Sequence, residues 1–352
     1  MNTSQSPSRF TRSSALAGIA ALVAAPSAAR AQSLTTVTIG IPNAVSDAPL
    51  LIADKLGFFR EQGIAAKIVQ FRGTPEMIPP LGVGQLDVGG AAPAASLYNA
   101  IGTNVDIRMV ADKGSIKLGY GYGPLLVRKD LVTSGKFKTP RDLRGMKVAE
   151  ATPGTANGAS LARLLEINGV GYNEIQHVYV AFPQQVVAFA NGAIDASVLV
   201  EPYALATERA GNAVRIMGND KWYPKQEQSV LMYGGQFAKK KDLATRFMLA
   251  YLKGVRFYSD ALVGGHLRGR TAAAVIDTLV EATPLKDRTI YPDIVANYVD
   301  PNGRMSVVSL AEDLNFFKRE GFVKSNVTIA DSVDTSFQEE ALRQLGLYKP
   351  HV

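Results

Sequence analysis

Gly84-Gln85-Leu86-Asp87-Val88-Gly89, followed by Pro93, returns farther along the chain as Gly192-Ala193-Ile194-Asp195-Ala196-Ser197, followed by Pro202. Each copy reads as a helix end, a glycine, a short buried strand and a proline that opens the next element. Glycine suits a helix C-terminus because it takes a positive φ without a Cβ penalty, and proline suits a first helical turn, where no amide donor is lost. Two copies of one grammar imply two similar lobes. Around the first copy, residues 36–41 and 66–71 read as strands, residues 49–56 as an apolar helix stopped by Gly57, and Glu76 as the start of another helix before the short strand at 86–89. Around the second, residues 147–150, 177–180 and 194–199 read as strands. A Pro153-Gly154-Thr155 turn, a helix with Leu161, Leu164 and Leu165 on its apolar face, and a helix around 184–190 separate them. Alternating strand and helix predict parallel α/β sheets.

Beyond Ser229 the apolar spacing becomes helical over 243–260, 271–282 and 310–320, and these helices are expected to pack on the first lobe. The short uncharged stretches 123–127 and 230–234 are expected to cross between the lobes as two strands of a hinge. Phe58 and Phe59, after the helix stop, read as core aromatics, and Asp87 and Asp195 as holders of local backbone turns.

The chain has 352 residues, 47% hydrophobic and 20% charged, which suits two packed domains and excludes disorder and coiled coil. Its longest apolar run, 15–25, is about half the roughly 20 residues of a membrane-spanning helix. Arg9 and Arg12 precede that run and Ala29-Arg30-Ala31 follows it, so residues 1–31 read as an export signal cut near Ala31. Removing its three arginines lowers the formal net charge from +7 to +4. Lys239-Lys240-Lys241 is the one dense basic run and has no interleaved aromatics, so no nucleic-acid partner is expected, and a monomer is. The absence of cysteine removes disulfides, thiolate metal sites, cysteine nucleophiles and a lipidated N-terminal cysteine. His177, His266 and His351 form no HExxH pattern, and no GxSxG, Walker or zinc motif occurs; no metal, cofactor or catalytic residue is expected.

Five fragments carry a resemblance. They are the run from Pro49 through Gly57-Phe58-Phe59-Arg60-Glu61-Gln62-Gly63-Ile64, then Gly84-Gln85-Leu86-Asp87-Val88-Gly89, then Asp142-Leu143-Arg144-Gly145-Met146-Lys147-Val148-Ala149, then Gly192-Ala193-Ile194-Asp195-Ala196, then Glu201-Pro202-Tyr203. In this order they resemble the type II periplasmic solute-binding proteins of ABC importers, in the nitrate, sulfonate, taurine and thiamine-precursor branch. The resemblance implies an α/β fold of two lobes, each a mixed, mostly parallel sheet flanked by helices, joined by a two-stranded hinge. Residues 32–124 and 233–352 would form one lobe and 125–232 the other. It also implies a periplasmic protein that closes its lobes on a small polar organic molecule, whether sulfonate, carboxylate, aminosulfonate or pyrimidine-like. Delivery would be to a permease and its ATPase in the inner membrane. Two other functions go with the same fold: enzymes of the pyrimidine-precursor synthase or quinone-pathway type, and ligand-presenting sensors. The eukaryotic synthases depend on a cysteine-rich motif that this chain lacks.

Ligands of open α/β sheets sit where strand C-termini meet helix N-termini and free amides point outward. That rule nominates Ser46, Asp47 and Ala48, then Arg72, Gly73 and Thr74, and Ala92 within Ala91-Ala92-Pro93, from the first lobe. The second lobe supplies Thr152, Gly154, Thr155 and Ala156, with Tyr120 and Tyr122 as wall residues near the hinge. The resemblance adds Glu201 and Tyr203 beside the cleft. Thr155 reads equally as a helix cap, Arg72 as a partner of Glu76, and Glu201 as half of a salt bridge across the lobes. Helix N-termini and Arg72 favour an anionic ligand, whereas Asp47 and Glu201 favour a cation or donor, so the sign stays open.

Overall fold

The computed structural model describes residues 33–349, so the export-signal reading of 1–31 lies outside the described residues. Ten strands form two five-stranded sheets. In chain order they are β1 (Thr35–Ile41), β2 (Ile64–Gln70), β3 (Val88–Ala91), β4 (Ile107–Ser115), β5 (Leu125–Arg128), β6 (Lys147–Glu150), β7 (Gln176–Tyr179), β8 (Ala196–Val198), β9 (Ala213–Met217) and β10 (Glu227–Gly234). The first sheet runs β2-β1-β3-β10-β4 and the second β7-β6-β8-β5-β9. In each, three strands run parallel and the fourth in spatial order is antiparallel to both neighbours.

The echo in the sequence is thus a shared topology, and the two aspartates show its physical basis. Asp87 donates its N–H to the Thr38 carbonyl (3.1 Å), and its Oδ2 accepts from the Thr38 N–H (2.8 Å). Asp195 makes the same reciprocal pair with Lys147, at 2.8 and 2.9 Å. Each aspartate so extends the pairing of the central strand, β3 or β8, with its parallel neighbour, β1 or β6, by a side-chain bond. The preceding Gly84 and Gly192 take φ of 75° and 72°, where a side chain would be strained.

Each sheet is covered on both faces. The helices Ala48–Lys55, Lys241–Ser259 and Ala272–Ala282 close one face of the first sheet over Leu50, Phe247, Tyr251 and Val275. The helices Thr74–Gly82 and Ala95–Gly102 lie in a second core that continues into the second sheet through the helix Ala156–Ile167. Phe182–Ala190 and Tyr203–Arg209 close the far face of the second sheet. Of the three helices expected on the first lobe, the last departs. Val307–Arg319 packs on Ala95–Gly102 and β10 but also on Ala156–Ile167, since its Phe316 and Phe317 belong to the core shared by both lobes.

The hinge also departs from expectation. Leu125–Arg128 lies wholly in the second sheet and Glu227–Gly234 wholly in the first, so residues 227–232 belong with the first sheet. The chain crosses over 116–124 and 218–226 instead. The two crossings stay paired at their root, where the Ile116 N–H donates to the Gln226 carbonyl (2.9 Å) and the Ile116 carbonyl accepts from the Lys225 N–H (2.8 Å). Farther out, the Gly119 and Gly123 amides donate to Asp220 Oδ2 (3.1 Å) and Asn219 Oδ1 (3.3 Å). A Cβ on Gly121 would stand 3.0 Å from the Gly218 Cα and collide with the Asp220 carboxylate, so the crossings touch backbone to backbone. Overpacking of this kind costs about 1–3 kcal/mol. Gly121→Ala is expected to lower the unfolding free energy by that amount in denaturant titration; an unchanged midpoint would show that the crossings do not pack this closely.

Candidate ligand-binding site

A cleft lies at the C-terminal ends of the central strands, walled by both lobes. From the first lobe come Ser46, Arg72, Gly73, Thr74 and Ala92; from the second, Thr152 and Thr155; Tyr122 comes from a crossing segment. Ala91, beside Ala92 in the nominated Ala91-Ala92-Pro93, also lines the cleft, and the walls are completed by Pro42, Ala44, Ala151, Asn157, Phe182, Val200, Gln228 and Ser229, which the sequence reading did not single out. The space is narrow: the centre of a water molecule has about 60 Å³ to move in.

Local hydrogen bonds shape the first-lobe wall. Asp47 Oδ2 accepts from the Ala44 N–H (2.8 Å), which closes the turn after β1 and leaves Ser46 on the cleft. Asp47 itself is fully buried, with Oδ1 2.6 Å from the equally buried Lys113 ammonium on β4. Burial pushes its carboxyl up and the Lys113 charge pulls it back. The expectation that Asp47 offers a free acid to a ligand is therefore corrected: its charge is matched inside the protein. Thr74 Oγ1 donates to the Ala92 carbonyl (2.5 Å), which joins two wall segments. Arg72 stands at the mouth, 79% exposed, and pairs with Glu76 on the helix that it precedes.

On the second-lobe wall, Thr155 precedes the helix Ala156–Ile167 without a side-chain capping bond, so its hydroxyl is left to the cleft. Its neighbours do something else. The Ala95 N–H donates to the Gly154 carbonyl (2.7 Å) and the Ala156 N–H to the Pro93 carbonyl (3.0 Å), an antiparallel bridge between the lobes centred on Ala94 and Thr155. Gly154 and Ala156 thus hold lobe to lobe. Gly154 has φ of 62°, and a Cβ there would stand 3.0 Å from the Ala95 Cβ.

The other nominated residues lie off the walls. Ala48 opens its helix fully buried. Tyr120 packs edge-on against Tyr298, centroids 5.6 Å apart. The Tyr203 hydroxyl donates to the Asn43 carbonyl across the lobes (3.3 Å). Glu201 is fully buried, with Oε1 2.6 Å from Arg215 and Oε2 accepting from the Leu205 N–H (2.9 Å). Burial raises its carboxyl and Arg215 counters it. The salt bridge of Glu201 lies within the second lobe, because Arg215 sits on β9 beside it; a weaker contact from the Val295 N–H (3.5 Å) reaches the first lobe. Among the missed residues, Gln228 and Ser229 had a signal: Gln226-Glu227-Gln228-Ser229 is a polar run that leads into a fully buried strand. Polar groups in such a place need partners or a cavity.

The family profile described as NMT1/THI5 like matches residues 45–261. The chain belongs to the NMT1/THI5-like family. No curated protein matches it by sequence. Among solved structures, it resembles the alkanesulfonate-binding protein SsuA from Xanthomonas axonopodis pv. citri bound to MOPS. Identity there is 19% over 85% of this chain and 98% of that one, with a TM-score of 0.65. The periplasmic nitrate-binding protein NrtA from Synechocystis PCC 6803 shares 13% identity over 89% of each chain, with a TM-score of 0.73. A DszB variant in complex with biphenyl-2-sulfinic acid shares 13% over 88% of this chain and 99% of that one, at 0.56. At these identities the likeness is one of fold, and this member of the NMT1/THI5-like family has the two-lobed architecture of periplasmic binding proteins.

Three further carboxyls are buried in the layer behind Gln228 and Ser229. Burial pushes Asp313 up to about 8 and Asp112 up to about 6, and it raises Glu227 well above the usual range, where the Asp112 charge adds to the effect. The folded protein therefore holds protons that the unfolded chain releases near pH 4, so stability falls as pH rises from about 4 to about 8. His177, raised by its hydrogen bond to Glu150, acts in the same direction: its contribution is full below about 6.5 and is lost above its folded value. The thermal midpoint is expected to be higher near pH 5 than near pH 8, and Asp313→Asn to narrow that difference. A midpoint that climbs over this interval would contradict the assignment.

Proposed function

We propose that this protein is the extracytoplasmic solute-binding component of an ABC importer. It takes up a small polar organic molecule between two lobes and presents it to a permease and its ATPase in the inner membrane, with residues 1–31 as its export signal. The observation that carries this reading is the composition of the cleft walls: hydroxyls and amides of Ser46, Thr74, Thr152, Thr155, Asn157, Gln228 and Ser229, drawn from both sheets and set among apolar side chains. Such groups hold a ligand by hydrogen bonds without needing to move a proton or form a bond to it. Contacts from both lobes also give the ligand a preference for the closed state, which is what couples binding to closure.

The pairing of Asp47 with Lys113 and of Glu201 with Arg215 removes both anions that favoured a cationic ligand. Arg72 at the mouth is likewise paired, with Glu76, so what remains at the cleft is the N-termini of the helices Thr74–Gly82 and Ala156–Ile167, both of positive sign. The ligand class proposed is therefore a compact acceptor-bearing molecule such as a short carboxylate, sulfonate or aminosulfonate. Alkanesulfonate and nitrate, named for two structures of the same fold, are of this kind. A pyrimidine is large for the narrow space and would need the lobes farther apart.

A thermal-shift screen of residues 32–352 against short carboxylates, sulfonates, polyamines and pyrimidines tests the reading. A ligand at about 100 times its dissociation constant adds roughly 2.7 kcal/mol, enough to raise the midpoint by a few degrees. A shift from carboxylates or sulfonates, with the compound recovered unchanged, is the expected result. Polyamines as the sole active class would overturn the ligand sign, and turnover of the active compound would favour an enzyme.

A further inference from the structure

Lys113 lies in the middle of β4 with no exposed surface. Gly90 makes room for it, since a Cβ there would stand 2.8 Å from the lysine Cε. An ammonium has three N–H donors and no acceptor. Lys113 donates to Ser46 Oγ (3.0 Å) and to Ser229 Oγ (3.2 Å), and its ammonium forms an ion pair with Asp47 Oδ1 at 2.6 Å.

The consequence falls on the serines. A hydroxyl oxygen that accepts from an ammonium keeps its own proton to donate. Among the described residues neither hydroxyl has an acceptor for that proton, and both residues line the cleft while being 2% and 4% exposed. They come from distant parts of the chain, one from the turn after β1 and one from β10, and a single ammonium holds their oxygens in place. The ion pair with Asp47 cancels the net charge, so a ligand meets two oriented O–H dipoles and no bare cation.

We propose that Ser46 and Ser229 form a paired hydroxyl clamp for one acceptor oxygen of the ligand, and that Lys113 is the positioning residue that turns both protons toward it. This rests on the solute-binding reading and adds to it the atoms that select the ligand: an acceptor oxygen, anionic or neutral, is what the clamp takes, and a group that offers only donors is refused. Asp47 contributes the counter-charge that a buried ammonium needs.

The test uses residues 32–352 and three probes of nearly equal size, acetate, acetamide and acetamidinium, titrated with NMR detection. The proposal expects acetate and acetamide to bind and acetamidinium not to. Ser229→Ala should weaken both by about tenfold. In the background Lys113→Met with Asp47→Leu, where both charges are removed together so that neither is left orphaned, the same Ser229→Ala should cost threefold or less. Should that background not fold, Gly90→Ala, which pushes the lysine stem aside, replaces it with the same expectation. Equal cost of Ser229→Ala in both backgrounds is what a merely structural lysine would produce, and it would overturn the role of Lys113. Acetamidinium binding as well as acetate would overturn the clamp. If none of the three binds the unaltered protein, the solute-site reading at this size fails, and the clamp with it.

Discussion

The pairing of β4 with β10 is the contact on which the rest of this molecule depends. The chain leaves the first sheet at the end of β4 and re-enters it at the start of β10, so the strands that bound the second lobe are hydrogen-bonded neighbours. Their ladder ends in the paired crossings at Ile116, Lys225 and Gln226. Register shifts between Glu227 and Met232 show that this ladder is irregular where it meets the cleft. Such irregularities bend a strand and re-aim its side chains, and here the side chains are Gln228 and Ser229 on the cleft wall.

The same two strands carry an unusual load of ionisable groups for a sheet interior. Asp112, Lys113 and Glu227 are fully buried, and each is answered from elsewhere: Lys113 by Asp47 and two serines, Asp112 by the amides of Gly114 and Asp300, Glu227 by the Ser306 N–H. Buried ion pairs are weak sources of stability, because desolvation offsets most of their attraction. Their value here is geometric. They fix polar side chains from distant segments at the floor of the cleft.

Much of the architecture was legible in the sequence, because the features that carry it are local. A glycine with positive φ, a short strand and an aspartate that reciprocates a main-chain bond recur at 84–89 and 192–197, and each part leaves a mark in consecutive residues. β4 left no such mark: Asp112 and Lys113 interrupt its apolar run, and they make sense only with partners from β1's end and from β10. The small and hydroxyl-bearing cleft residues Ser46, Gly73, Thr74, Thr152 and Thr155 follow from the rule that strand C-termini and helix N-termini converge. Asp47 and Glu201 were read as facing a ligand for want of knowing Lys113 and Arg215, whose pairing is a fact of tertiary structure. Gly154 and Ala156 stand in the right loop but bond to the other lobe.

The central claim is that one ligand is gripped by two lobes that change their separation. The natural absence of cysteine makes a direct measurement simple. Val83→Cys on the first lobe and Val187→Cys on the second place labels at two exposed positions, each 62% accessible. The distance distribution between them, read by double electron–electron resonance with and without the compound that stabilises the protein most, should shift to a single narrower population on binding. A distribution that does not change while the compound is bound would mean that the cleft is not where the ligand couples the lobes.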